Sequence, residues 1–130
     1  MRYLLCLIGG ALIGALLALT AANSLQRRNA WPRAIMHVMQ HELGQSRENA
    51  RQGRCTDPSM GTAQAHLTLL SGDLERALLD PAAKDRVFGK YAQDLRNAVA
   101  AWDVNADCPH QAARLGEIDQ ACDACHRDYR

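Results

Sequence analysis

The chain carries "ACDACHRDYR" at residues 121–130, which puts Cys122, Cys125 and His126 within five residues. Three chemistries use such a cluster. Two thiols can add across the vinyl groups of a haem as thioethers, while the adjacent imidazole supplies an axial nitrogen to iron. Two thiols and an imidazole can also form half of a zinc site, or the two thiols can act as a redox dithiol. On a helix His126 lies about 40° around the axis from Cys122, and Cys125 about 60° to the other side, so all three meet one edge and face of a porphyrin. A zinc site needs a second ligand pair, and outside the N-terminal apolar run only Cys55 and Cys108 remain to give it. A thioredoxin-like dithiol needs a strand before it in a βαβ setting, which this sequence lacks. The expectation is one covalent haem c, attached at Cys122 and Cys125, with His126 as axial ligand to iron.

The elements that must hold this cluster are helical. "NAWPRAIMHVMQHELGQSRENARQ" opens at Asn29, an N-cap type, with Pro32 in the first turn and Trp31, Ile35, Val38 and Met39 on its apolar side. "GRCTDPS" interrupts it. The next segment repeats Ala63, Leu67, Leu70, Leu74 and Leu78 at helical steps. Asp80 and Pro81 read as N-cap and first residue of a third helix, with Val87, Phe88, Tyr91, Leu95, Ala98 and Trp102 on one side. After "VNADCP", the last helix carries Leu115, Ile118, Cys122, Cys125 and Tyr129 as one stripe. Four such helices with short links predict an all-α fold, an antiparallel up-down-up-down four-helix bundle over 29–130 with the haem near the end of the last helix.

Residues 1–22 stand apart. One arginine precedes an apolar run from Tyr3 to Ala22, closed by small residues, the pattern of a secretory signal peptide. The run is also long enough to span a bilayer, so residues 3–22 are a candidate membrane anchor. Arg27 and Arg28 oppose an N-in anchor by the positive-inside rule and favour cleavage. Export to the periplasm puts Cys55 and Cys108 in an oxidising compartment. They fall in links at the same end of the predicted bundle, far from the haem, which makes a disulfide between them the expectation. With 15 basic and 14 acidic residues spread along 130 positions, there is no basic stripe for nucleic acid.

"CDACHRDYR" resembles the C-terminal signature of class II c-type cytochromes, the cytochrome c prime family, in which CxxCH is followed by xx-Tyr-Arg. The close match covers 122–130, and the resemblance in fold covers 29–130. It implies a four-helix bundle with His126 as proximal ligand and Arg130 beside it. Matching "IMHVMQHELG" to the family's first helix puts Met36 at a distal position often filled by Leu or Phe. A hydrocarbon there leaves iron five-coordinate and high-spin, whereas a thioether completes low-spin iron. Family members also form homodimers, which makes a dimer a candidate assembly here.

Bundle topology brings residues near 33–38 level with the iron, together with Leu74, Leu78, Val87, Phe88 and Tyr91 as apolar haem walls. Arg33 is the candidate partner of a haem propionate. His37, about 100° from Met36, reads as a surface residue, as do His41, His66 and His110. The function expected is an exported monohaem electron carrier that exchanges electrons with redox partner proteins. The alternative is a five-coordinate protein that binds nitric oxide or carbon monoxide. An enzyme is not expected, because a peroxidase would want a distal acid–base pair and His37 is the sole candidate.

Overall fold

The computed structural model describes residues 2–28, 30–80 and 82–129. Among them are five helices and no strand: α1 (Arg2–Arg28), α2 (Ala30–Arg51), α3 (Pro58–Leu78), α4 (Arg86–Ala100) and α5 (Cys108–Asp128). Asn29, Pro81 and Arg130, which the sequence singles out as a cap, a helix start and a neighbour of His126, lie outside the described residues.

The chain divides into two compact units, Met1–Arg33 and Ala34–Arg130. In the first, the stretch Leu7–Ser24 of α1 is long and apolar enough to cross a membrane, a property that signal sequences share. Leu7, Leu12, Leu16 and Leu19 are all exposed on it. A helix that is apolar all round is at home in lipid rather than in water.

In the second unit each helix buries one stripe. Ile35, Met39 and Leu43 come from α2, and Met60, Ala63, Leu67 and Leu74 from α3. Phe88, Ala92, Leu95 and Val99 come from α4, and Leu115 and Ile118 from α5. These side chains form one core with Trp102, which is 0% exposed in the α4–α5 link. Cross-helix pairs fix which turns meet. Arg47 on α2 pairs with Asp119 on α5 at 2.6 Å, and Glu42 on α2 accepts His66 Nδ1 of α3 at 2.7 Å.

The helix ends follow local chemistry. Gly53, at φ 70, closes α2: Gly53 N–H reaches Ala50 O at 3.1 Å and Arg54 N–H reaches Asn49 O at 2.8 Å. This is the Schellman arrangement, and its left-handed residue favours glycine. Asp57, Asp85 and Asp107 cap α3, α4 and α5, each accepting backbone N–H groups of the first turn.

Three expectations need correction. The third predicted helix starts at Arg86. Before it, the Asp80 side chain accepts the N–H of Ala82 and its carbonyl accepts Ala83 N–H. Asp85 binds both Val87 and Phe88 N–H, at 2.9 and 3.0 Å, which starts the helix where its first core residue arrives. Val87 is 55% exposed, because it lies one residue, about 100°, from buried Phe88. Trp31 and Val38, expected on the apolar side, are 58% and 42% exposed.

Candidate functional site

The last turns of α5 continue the buried Leu115–Ile118 stripe, so Cys122 and Cys125 pack against the core while staying partly exposed. His126, next in sequence, is exposed. All three line a cavity of about 450 Å³. From α2 it is lined by Met36, Met39, Gln40, Leu43, Gly44 and Arg47; from α3 by Leu67 and Leu74; from α4 by Phe88, Tyr91, Ala92 and Leu95. Asp119 and Asp123 complete the wall on α5. The volume lies in the range of small-molecule and cofactor sites, and apolar side chains, sulfur-bearing ones included, make most of the lining.

The sequence-selected residues divide around this cavity. Met36, Leu74 and Phe88 line it together with Cys122, Cys125 and His126. Leu78 is only partly buried and does not line it, standing one helical turn beyond Leu74. Arg33 is exposed and belongs to the first unit. His37, His41, His66 and His110 are all exposed. The α2 lining runs from Met36 to Arg47, further along the helix than the 33–38 window expected. The Arg47–Asp119 pair lies in the same register, in which the turn of α5 before Cys122 meets the far half of α2.

Cys55 and Cys108 are joined in a disulfide, with Cα atoms 5.4 Å apart, whereas Cys122 and Cys125 are free. This removes the second ligand pair that a zinc site would need. Among the described residues no group of three or more His, Cys, Asp and Glu side chains is placed to hold a metal ion. The electrostatics also oppose a redox dithiol. Burial, followed by Asp119 and Asp123, pushes the Cys122 thiol up to about 11. Burial and Asp128 raise Cys125 as well. Reactive dithiols need the reverse, a depressed pKa that exposes thiolate.

No family model, curated protein or solved structure matches this chain. The site brings its own donors, two thiols and an imidazole, against a largely apolar cavity. That set fits a c-type haem, which takes one nitrogen from CxxCH and needs no cluster of metal-ligating side chains.

A clasp holds the end of α5. Tyr129 N–H caps Cys125 O at 3.0 Å, and its hydroxyl donates to Asp85 Oδ2 at 2.6 Å. Its ring meets Phe88 and Tyr91 edge to face, with centroids 5.3 and 6.2 Å apart. Tyr91 in turn donates to Asp128 Oδ2 at 2.6 Å. Asp85 thus caps α4 and ties down the turn that carries His126. The Tyr129 hydroxyl, followed by Phe88 N–H, holds the Asp85 carboxyl below its usual range. A depressed carboxylate adds stability above its unfolded pKa and loses it as pH falls through the folded value. The wild type should therefore exceed Asp85→Asn in thermal midpoint at pH 7, and the gap should close below about pH 4. Melts of the two chains between pH 7 and pH 3 check this; a gap independent of pH would mean that the carboxylate charge is not used.

Proposed function

We propose that this protein is an exported monohaem c-type cytochrome that acts in electron transfer. In this reading Cys122 and Cys125 form the two thioethers, His126 is the proximal ligand, and α2 to α5 are the four helices of an antiparallel up-down-up-down bundle. The observation that carries it is the convergence of Cys122, Cys125 and His126 on one largely apolar cavity while Cys55 and Cys108 are consumed in a disulfide. Haem iron, when bound, supplies one-electron exchange.

The chain's own contribution is a largely apolar wall and a braced helix end. Leu67, Leu74, Phe88 and Leu95 line the cavity and would shield iron held there from water, which would tune its potential. The Asp85–Tyr129 clasp fixes the end of α5 and with it His126. Met36 lines the same cavity as His126, which supports it as the sixth ligand. The α1 helix, as signal sequence or anchor, serves export.

A second reading has one observation in its favour: apart from Met36 and Met39, the apolar lining is hydrocarbon, which would leave an open distal side for nitric oxide or carbon monoxide. Absorption spectra of the reduced protein with and without carbon monoxide separate the two. A split low-spin spectrum indifferent to carbon monoxide is expected, with conversion in Met36→Leu to a broad high-spin spectrum that shifts on adding the gas. A wild type that already responds to carbon monoxide makes Met36 a packing residue and favours gas binding. A pigment-free protein after export would refute both.

A further inference from the structure

Outside the cavity, α2 presents two imidazoles that the proposed function leaves unused. His37 and His41 stand four residues apart on α2 and both are exposed. Among the described residues neither makes a side-chain hydrogen bond or ion pair, whereas His66 gives its Nδ1 to Glu42. Four residues on a helix place two side chains about 40° apart, with Cβ atoms about 5–6 Å from each other. That spacing lets two imidazole nitrogens converge on one cation, as in the helical histidine pair of zinc proteases. The helix is held so that this face stays outward, because Ile35, Met39 and Leu43 are buried on its other side. Ordering the pair therefore requires rotamer selection alone, with no movement of backbone.

We propose that His37 and His41 form a two-imidazole chelate for a divalent late first-row transition metal ion. Imidazole suits copper, nickel and zinc, and the order of divalent affinities puts Cu²⁺ above Ni²⁺ and Zn²⁺. Among the described residues no third ligand joins them: Glu42, next to His41, is engaged by His66, and Glu48 by Gln52 and Arg51. Water completes the coordination, which makes this an open surface site, separate from the haem proposed above and independent of it.

The test is calorimetric titration of the full-length protein in detergent with Ni²⁺, chosen because it does not oxidise thiols. One Ni²⁺ per chain is expected. His37→Ala and His41→Ala should each lower the affinity about 10²-fold, the gain that a second linked ligand gives. His110→Ala should leave it unchanged. A chain with Val38→His and His41→Ala keeps the histidine count but sets the rings side by side, where they do not face a common ion; it should bind as weakly as His41→Ala. Equal affinity in wild type and the two single variants, an equal fall in His110→Ala, or recovery in the Val38→His double variant would each overturn the proposal. All the substituted side chains are exposed, so helicity measured by circular dichroism should not change in any of them.

Discussion

A chain with serine at both Cys122 and Cys125 is expected to carry no covalent pigment. After export and denaturing electrophoresis, the wild type should show haem-dependent peroxidase staining at the protein band and the double variant none. Each single variant should keep one thioether, with a reduced-state absorption band shifted from that of the wild type. Cys122 and Cys125 are the two thiols at the cavity, since Cys55 and Cys108 are bound to each other. His126 alone can ligate iron but cannot survive denaturation as an attachment. The substitution should leave the fold in place: both positions are partly exposed, and a hydroxyl left without a partner costs about 1–3 kcal/mol, less than the stability of a typical domain. Circular dichroism of the double variant should accordingly keep its helical signal. Haem staining retained in the double variant would sink the thioether assignment. One equivalent of zinc in the wild type, lost in the double variant, would revive the metal reading.

The helices were legible because each carries its buried positions at steps of three and four, as Ile35, Met39 and Leu43 do on α2. A local rule failed at the start of α4. The Asp80–Pro81 pair reads as a helix start, but α4 begins after Asp85, whose carboxylate reaches two backbone N–H groups just as Phe88 enters the core. The cavity was legible only in part. Height along a bundle could select Met36, Leu74 and Phe88, but not how far the lining runs along α2. That depends on the register in which α2 meets α5, seen in the contact of Arg47 with Asp119, 72 positions apart. Gln40, Gly44 and Arg47 carried no local signal of a site, although they extend the Met36 face at steps of three and four. The Asp85–Tyr129 bond was equally hidden: its partners lie 44 residues apart and each has a sufficient local reading, one as a cap and one as part of an apolar stripe.

Replacing both Cys55 and Cys108 with alanine should cost more stability than any single surface change in this protein. The bridge joins positions 53 apart in sequence, linking the segment after α2 to the first residue of α5. In the chain-entropy account, a cross-link over a loop of that size removes about 4 kcal/mol of freedom from the unfolded chain. A domain stable by about 5–15 kcal/mol would lose a large share of its margin. For roughly 100 residues, 4 kcal/mol corresponds to a fall in thermal midpoint on the order of 15–30 °C. Other contacts at this end do not replace the bridge, because they gather around the same two links. Gln111 is buried and its Nε2 donates to Cys55 O, Val104 O and Ala106 O, at 3.3, 3.0 and 2.9 Å. Trp102 is held there too, its carbonyl accepting Gln64 Nε2. These bonds bind the two links while they are already adjacent, whereas the disulfide alone keeps them adjacent in the unfolded chain. Thermal melts of the double variant, and of the wild type with and without reductant, measure the effect. Wild type in reductant should melt close to the double variant. A fall of only a degree or two in both would mean that Gln111 and Trp102 hold the two links together without the bridge.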